Sequence, residues 1–420
     1  MKTDPKTSTE TQLRLNIMRL MVSSEPESRR IAQETTSRGE WRAMFDLCGE
    51  WKLLAGLEAR IAALDIPLPE AERADLARRT QPAFVQTMLC VRAGAIALSA
   101  LERAGIPCAG FKGLAALAYL YPGMRSRTLQ DTDALVHPRD VEAALRVLEE
   151  SGFKRSPDCP LSEYVAFLRN SPGTAGNEAV GLRDEQGGAV DLHWRLGTLD
   201  VETLLTGTGP IQVLNRPLPI LSAAHCMLLS VHHALRNDFV PGDIARDVCD
   251  FAHWRHLLSG TGQWQVLGAD AERWGLSAAC AALARIVAEL REDTEAEPPL
   301  AVSGADRAVA QQLAAFYFHQ LRAGPINTDL AYVASTRPVR QIVTGLAGGW
   351  KTYRDFMRRS EESNGEESLP VRARLWNLGK AAAGLSPSGW KQVLALARAK
   401  DRMAGPQPRP KGNPEADPKG

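Results

Sequence analysis

The sequence predicts an α+β fold in which a small mixed β-sheet is flanked by N-terminal and C-terminal helical regions. Apolar residues recur at helical spacing up to residue 104. The pattern then changes to short apolar strands that alternate with helices, and helical spacing returns beyond Pro219. From these changes we predict four segments: 1–104 (helical), 105–215 (the core that contains the sheet), 216–402 (helical) and 403–420 (a disordered tail).

The N-terminal region has the spacing of successive helices. Apolar side chains lie three and four positions apart in residues 11–21 and 40–66. The sequence PLPE at 67–70 ends this run, and a long helix is predicted after it. Residues 83–104 predict one continuous helix, because Gly105 favours a C-terminal stop and Pro107 prevents its continuation.

The central region predicts a strand, a helix, a strand, a helix and then a hairpin. Pro138 starts the second helix at a position that suits proline, and Gly152 ends it. The turn-rich sequence DEQGG joins the two strands of the hairpin. The other predicted elements are a strand at 108–111, a helix at 113–121, a strand at 128–136, and hairpin strands at 179–183 and 189–195.

The C-terminal region returns to helices. Ser222 is a suitable N-cap for the first of them, and an acidic stretch with two prolines at 292–305 separates two helical parts. Two basic stretches with interspersed aromatic residues, 350–359 and 371–400, suit RNA or membrane binding, although solvated helix faces have the same composition. Residues 405–420 carry almost no apolar side chains, which predicts disorder.

Composition argues against several classes of protein. The 420-residue chain has a formal net charge of +1, so no global field requires a nucleic-acid partner. Its seven cysteines are scattered without a CxxC pair, which argues against a disulfide framework and a structural zinc site. The N-terminus lacks the apolar segment of a signal peptide, and no stretch approaches the roughly 18 apolar residues of a membrane span. We therefore predict a cytoplasmic protein without a membrane span.

Two aspartates one residue apart fall in the second predicted strand. Alternate side chains of a strand share a face, so Asp131 and Asp133 would lie side by side while Thr132 points away. Adjacent carboxylates repel unless a cation lies between them, and Mg²⁺ (or Mn²⁺) prefers such oxygen ligands. Asp191, on the last predicted strand, is a candidate third ligand. Three carboxylates can hold two ions, which suits in-line phosphoryl or nucleotidyl transfer.

A candidate phosphate site precedes these acids. Gly113 follows Lys112 where the first strand becomes a helix, and a glycine there lets the backbone approach a phosphate at the helix N-terminus. The ammonium group of Lys112 would add a positive charge. Arg125 and Arg127 lie on the loop before the acidic strand, where they are candidates for the same phosphates.

These motifs resemble an uncharacterised bacterial nucleotidyltransferase family of the DNA polymerase β-like nucleotidyltransferase superfamily. The likeness covers residues 83–258 and is carried by FKG, YPG with an arginine after it, D-x-D, a proline-led helix, LHW and a histidine-rich helix. It implies a nucleotidyltransferase core sheet and two-metal transfer of a nucleoside monophosphate from a nucleoside triphosphate such as ATP. The acceptor, whether a small molecule, RNA or protein, does not follow from the resemblance.

The resemblance also implies roles for individual residues. Gly113 corresponds to the phosphate-loop glycine, Asp131 and Asp133 to the metal-binding pair, and Asp191 to the third acid. The superfamily usually has Gly-Ser at the phosphate loop, whereas Leu114 follows the glycine here. A catalytically silent nucleotide-binding protein is therefore an alternative hypothesis, and a toxin-like enzyme acting on tRNA or protein is another.

Several of these residues have structural interpretations as well. D-x-D pairs occur in exposed turns, and Asp191 is also explained as an exposed strand residue or the partner of an arginine. His193 would share a strand face with Asp191, where packing explains it as readily as contact with a nucleotide. On the histidine-rich helix, His225 and His232 are two turns apart, but no cysteine or acid completes a zinc-ligand set at the usual spacing. We expect a structural or substrate-shaping role for this helix, and the resemblance places residues 246–250 beside the active site.

Overall fold

The computed structural model describes residues 5–121, 123–155, 178–197, 199–237, 239–259, 261, 263–292 and 302–323. Within them, helices surround one seven-stranded mixed sheet, which confirms the predicted α+β fold. The predicted tail at 403–420 and the basic stretches at 350–359 and 371–400 lie outside the described residues.

The described elements follow one another in three groups. The N-terminal helices are α1 (Pro5–Val22), α2 (Glu25–Arg38), α3 (Trp41–Glu50), α4 (Leu54–Ala63) and α5 (Glu70–Arg103). The core contains β1 (Cys108–Phe111), α6 (Lys112–Tyr119), β2 (Thr132–Val136), α7 (Val141–Glu150), β3 (Lys154–Arg155), β4 (Ala179–Arg183), β5 (Ala189–His193), α8 (Val201–Thr206), β6 (Thr208–Val213) and β7 (Arg216–Leu221). The C-terminal helices are α9 (Ala223–Arg236), α10 (Pro241–Leu258), α11 (Gln263–Arg273), α12 (Ser277–Arg291) and α13 (Gly304–Ala323).

The strand order of the sheet is β3-β4-β5-β2-β1-β7-β6. β2 runs parallel to β5 and β1 runs parallel to β7, whereas the other neighbouring pairs are antiparallel. β1 and β2 are buried along their whole length, as expected for central strands with few polar side chains. The sheet therefore places β2 in the middle, with β5 on one side and β1 on the other.

One face of β2 is covered by the long helix α5. The hydroxyl of Thr132 donates a hydrogen bond to the carbonyl of Cys90 at 2.8 Å. Gly94 permits this close approach, because a Cβ at that position would lie 2.4 Å from Cγ2 of Thr132. Since neighbouring side chains of a strand alternate, Asp133 points to the opposite face of the sheet.

The C-terminal helices pack beside that opposite face and also against the N-terminal region. α9 packs on α6 of the core and on α10, α11 and α12, while α1 contacts α10, α12 and α13. Ser222 caps α9, as predicted, by accepting a hydrogen bond from the backbone N–H of His225 at 3.2 Å. The two flanking helical regions thus meet each other around the core.

The structure differs from the predicted elements at four places. Strand β2 begins at Thr132 instead of residue 128, so Asp131 precedes it. The predicted helical spacing of residues 40–66 belongs to two helices, and the sequence did not locate the break between them, where Lys52 has a left-handed conformation (φ 58°). The long helix predicted after residues 67–70 and the helix predicted at 83–104 form one continuous helix, which begins at Glu70 and includes a proline. The hairpin β6–β7 was not predicted, and the boundary placed at residue 215 falls in its turn.

One of the described helices, α5, is long and apolar enough to cross a membrane by length and composition. However, 56% of its most apolar window is buried inside the protein, which is typical of the core helix of a soluble protein. The six cysteines among the described residues are all free and buried, in agreement with the absence of a disulfide pattern in the sequence.

Candidate active site

Two aspartates lie next to each other at the centre of the sheet. In the parallel pairing of β2 with β5, Asp133 is the register partner of Asp191. Asp133 is buried (6% exposed), and Asp191 is half-buried. The sequence predicts Asp191 as a third acid, and the strand register places it directly beside Asp133.

Asp133 is held by two basic side chains. Lys112 Nζ donates a hydrogen bond to Oδ1 of Asp133 at 2.5 Å, and Nε2 of His193 lies 2.9 Å from the same oxygen. Phe111 packs edge-on against the imidazole, with 5.1 Å between ring centroids. Burial alone would raise the pKa of Asp133, but Lys112 and His193 outweigh it and hold the pKa well below its usual range. Asp133 is therefore ionised under all ordinary conditions.

Asp131 and Asp191 experience the opposite effect. Burial and the negative charge of Asp133 raise the pKa of Asp191. The same two causes, with Asp191 as a further contributor, raise the pKa of Asp131. The three predicted acids therefore interact electrostatically and leave negative charge that a bound cation would stabilise.

One group among the described residues has a suitable arrangement for a metal ion. The ligand atoms of Asp133, Asp191 and His193 all lie within 4.8 Å of one another. Nε2 of His193 faces Asp133, whereas Nδ1 is buried and has no hydrogen-bond partner in the described part of the chain. The two carboxylates suit Mg²⁺, and the imidazole also suits Mn²⁺. Asp131, which the sequence also predicts as a ligand, lines the same cleft but is not one of these three residues.

The acids open into a cleft with a volume of about 230 Å³. Its core side carries the three acids Asp131, Asp133 and Asp191, and α9 and α10 form another wall. That wall contributes a serine, a histidine, an arginine and two aspartates, namely Ser230, His233, Arg246, Asp247 and Asp250. The cleft therefore lies between the sheet and the C-terminal helices.

Lys112 and Gly113 line the cleft at the start of α6, as the phosphate-site prediction requires. Lys112 has a positive φ of 47°, an uncommon conformation for a residue with a side chain. A Cβ at Gly113 would lie 2.8 Å from Nη1 of Arg127, so the glycine permits the guanidinium to pack against the helix start. Burial would lower the pKa of Lys112, but the carboxylate of Asp133 more than offsets it and raises the pKa.

The two loop arginines have different surroundings. Arg127 lines the cleft and forms a bidentate pair with Asp250, with Nη2 to Oδ2 at 2.7 Å and Nε to Oδ2 at 3.0 Å. The hydroxyl of Tyr121 donates to the same carboxylate at 2.7 Å. Arg125 does not line the cleft. It is exposed and lies over the ring of Phe84 (4.2 Å to the centroid), because the apolar ring and the amide of Gln81 on α5 draw it away from the acids.

Two further cations line the cleft. Arg246 is half-buried on α10, and its one recorded hydrogen bond, to the carbonyl of Thr128, is long at 3.5 Å. Among the described residues no carboxylate lies within 4.0 Å of its guanidinium, and burial together with Arg127 lowers its pKa. Lys52, whose Nζ bonds to Oε1 of Gln130 at 2.7 Å, enters from the turn between α3 and α4. Nothing in the local sequence around Lys52 indicated this role.

The histidine-rich helix α9 forms no metal cluster within the described residues. His225 pairs with Asp270 at 3.2 Å in the interior, and His233 pairs with Asp247 at 2.7 Å beside the cleft. Both imidazoles therefore have carboxylate partners within the protein.

Comparison with known families adds an independent finding. A model of an uncharacterised nucleotidyltransferase family matches residues 37–292, which is more than half of the chain and includes every residue named around the cleft. A search of curated proteins finds no match. The extent of the match confirms the resemblance noted in the sequence: the chain belongs to the uncharacterised nucleotidyltransferase family.

Proposed function

We propose that the protein is a metal-dependent nucleotidyltransferase that moves a nucleoside monophosphate from a nucleoside triphosphate to an acceptor hydroxyl or phosphate. The observation that carries the proposal is the convergence of Asp131, Asp133 and Asp191 on one cleft beside basic side chains. Family membership supports the same reaction class. A cleft with both carboxylates and cations suits a substrate that arrives as a complex of metal and triphosphate.

Asp131, Asp133 and Asp191 would hold Mg²⁺ or Mn²⁺, with His193 as an additional ligand. The donor set fits, because carboxylate oxygens are preferred by both ions and the imidazole is acceptable to manganese. When bound, such ions neutralise phosphate charge and lower the pKa of an attacking hydroxyl. Lys112 would exchange part of its contact with Asp133 for the substrate phosphates.

Backbone and basic side chains would hold the triphosphate. Gly113 lines the cleft at the start of α6, and the N-terminus of a helix favours anions. Lys112 lies beside it, and Arg246 and Lys52 add positive charge without a carboxylate partner among the described residues. The guanidinium of Arg127 is already bonded to Asp250, so Arg127 would contribute positive charge to the cleft wall without a new contact to the triphosphate. These contacts take the place of the serine hydroxyl that the phosphate loop lacks.

A catalytically silent nucleotide-binding protein is the second candidate. Two observations favour it: Leu114 follows Gly113 where a hydroxyl is usual, and the ammonium of Lys112 bonds to the carboxylate oxygen of Asp133 that a metal would use. A toxin-like enzyme acting on tRNA or protein is a narrower version of the main proposal. Growth arrest on induction, relieved by Asp131→Asn/Asp133→Asn, is its expected signature.

Pyrophosphate release separates the first two candidates. The purified chain is incubated with each of the four nucleoside triphosphates, Mg²⁺ or Mn²⁺, and an extract of small molecules, RNA and protein. We expect metal-dependent pyrophosphate release that disappears in Asp131→Asn/Asp133→Asn and persists in Asp243→Asn, which changes an exposed carboxylate on α10. Metal-dependent nucleotide binding by calorimetry without pyrophosphate release would favour the silent binding protein.

A further inference from the structure

A histidine–aspartate pair lines the same cleft as the three aspartates. His233 on α9 and Asp247 on α10 both contribute to the wall, and Nδ1 of the imidazole lies 2.7 Å from Oδ2 of the carboxylate. Because an ionised carboxylate can only accept, Nδ1 donates and carries the ring proton. The other ring nitrogen, Nε2, is then the atom that can take up a proton.

A second neighbour fixes the same tautomer. Nδ2 of Asn237 lies 3.0 Å from Nε2 of His233 and also donates to the carbonyl of His233 at 2.9 Å. An amide nitrogen only donates hydrogen bonds, so Nε2 accepts the one from Asn237. Both contacts therefore fit the tautomer that carries its proton on Nδ1 and its lone pair on Nε2.

Exposure distinguishes this pair from the other histidine–aspartate pairs. The side chains of His225 and Asp270 are each 6% exposed, so that pair has no access to a ligand. The His193 side chain is 11% exposed and bonded to Asp133 in the group suited to a metal. The His233 side chain is 37% exposed while that of its partner Asp247 is 12% exposed. A fixed carboxylate thus holds an imidazole that is open to a substrate.

We infer that His233, oriented by Asp247, is the general base that deprotonates the acceptor; the inference rests on the proposed function. The acceptor hydroxyl first replaces the amide of Asn237 as the hydrogen-bond donor to Nε2. Nε2 then takes the hydroxyl proton while the acceptor oxygen forms a bond to the α-phosphorus. The bond from the α-phosphorus to the oxygen bridging to the β-phosphorus breaks, and its electron pair leaves with pyrophosphate. Asp247 stabilises the imidazolium, which then returns its proton to solvent.

The base narrows the chemical class of the acceptor. A phosphate oxygen is already ionised at neutral pH and needs no base, whereas a hydroxyl does. His233 therefore indicates an alcohol as the acceptor. The charged groups that line the cleft with His233 are four cations (Lys52, Lys112, Arg127 and Arg246) and five carboxylates (Asp131, Asp133, Asp191, Asp247 and Asp250).

The test uses water as the acceptor, because water must lose a proton in the same way. Pyrophosphate release by the full chain is measured from pH 5.5 to 9 with each of the four nucleoside triphosphates and Mg²⁺. The variants are His233→Gln, Asp247→Asn and, as a matched control, His256→Gln, which changes an exposed histidine on α10 outside the cleft. Titration calorimetry with an α,β-methylene nucleotide and Mg²⁺ measures nucleotide binding without turnover. Scanning calorimetry of the same variants shows whether they are folded.

We expect His233→Gln to lower kcat by about 100-fold or more and to remove the loss of rate at acidic pH, while the affinity for the methylene nucleotide stays within twofold. Asp247→Asn should lower kcat less than His233→Gln does, because the imidazole remains but loses the carboxylate that orients it. Unchanged kcat in His233→Gln would overturn the inference, as would a loss of nucleotide affinity without a loss of kcat. If the wild-type chain releases pyrophosphate only when an extract that supplies an acceptor is added, the same variants are compared with that extract. If it releases none in either case, the proposed function fails, and the inference with it.

Discussion

At the scale of single residues, the positive charges of the cleft are unequally available to a substrate. Lys112 is bonded to Asp133, and Arg127 is bonded to Asp250 through two nitrogens. Arg246 has no carboxylate within 4.0 Å among the described residues. Burial and the neighbouring charge of Arg127 lower its pKa. An incoming phosphate would relieve this repulsion. Arg246 is therefore the residue from which we expect the largest single contribution to triphosphate binding.

Replacing Arg246 with methionine should weaken binding of a nucleoside triphosphate about 10- to 100-fold, because one charge-assisted hydrogen bond contributes about 1.5–3 kcal/mol. Arg125→Met should leave the affinity nearly unchanged, since the structure places Arg125 over Phe84 and outside the cleft. Calorimetry with Mg²⁺ and a non-hydrolysable nucleotide measures both. Equal losses in the two variants would mean that Arg125 reaches the substrate after all.

Local sequence identified the residues whose chemistry depends on short spacing. One strand–helix–strand unit contains Lys112, Gly113, Asp131 and Asp133. The alternation of strand side chains and the glycine at the helix start were therefore enough to predict that these residues lie near one another. Lys52 could not be found in this way, because it reaches the cleft from the turn between two N-terminal helices. Long-range packing, which leaves no local signal, places such a residue.

At the scale of elements, the position of the acidic strand depends on how closely α5 approaches it. Gly94 faces Thr132, and the hydroxyl of Thr132 bonds to the carbonyl of Cys90 on the same helix. This contact orients Thr132 toward the helix and Asp133 toward the cleft. A substitution in α5 that displaces Thr132 would therefore also displace Asp133, the next residue of the strand.

Gly94→Ala should destabilise the protein by about 1–3 kcal/mol, since the new methyl group would meet Thr132 at 2.4 Å. Gly49→Ala is the matched control in another helix. Its nearest neighbour would lie at an ordinary 3.4 Å, so we expect a gain of up to about 1 kcal/mol from helix propensity. Urea unfolding measures both changes. Equal stability of the two variants would contradict the proposed packing of α5 on β2.

Predicted elements agreed with the structure where short-range rules apply and differed where they do not. The strand at 108–111, the hairpin strand at 179–183 and the Ser222 cap are as predicted. Strand β7 was not predicted, because it contains Pro217 and Pro219 and each proline removes a backbone hydrogen-bond donor from a sheet. β7 nevertheless pairs with β1 and β6, a tertiary preference that outweighs the local one.

At the scale of the whole molecule, the cleft has one wall from the sheet and another from the C-terminal helices, and a buried ion pair links the two walls. Arg127 comes from the loop before β2, and Asp250 comes from α10. Tyr121 adds a hydrogen bond to the same carboxylate, and the side chains of both ions are nearly buried. The pair connects the two walls that hold the proposed substrate.

Removing one member of this buried pair by Asp250→Ala should destabilise the protein by about 3–5 kcal/mol, because it leaves an uncompensated buried charge. The double variant Arg127→Met/Asp250→Leu should recover much of that loss. Glu34→Ala, which breaks an exposed pair with Arg30, should cost no more than about 1 kcal/mol. Chemical unfolding of the four proteins measures these differences. A cost for Asp250→Ala as small as that for Glu34→Ala would show that the pair does not hold the two layers together.

The reaction class follows from the assembled cleft more than from any single motif. A D-x-D pair also fits an exposed turn, but here Asp133 is buried and lies beside Asp191. The sequence could not establish that pairing, because it depends on the strand register. It also left packing and nucleotide contact open for His193, which the geometry brings close to the two strand acids. The central claim is therefore that this cleft transfers the α-phosphoryl group together with its nucleoside.

The most direct test follows the two ends of one nucleotide. The chain is incubated with Mg²⁺, cell extract, and triphosphate labelled at either the α- or the γ-phosphorus. We predict that the α-label appears on an acceptor, that the γ-label appears only in pyrophosphate, and that both products vanish in Asp131→Asn/Asp133→Asn. Transfer of the γ-label to an acceptor, or α-label transfer that survives the double substitution, would contradict the account.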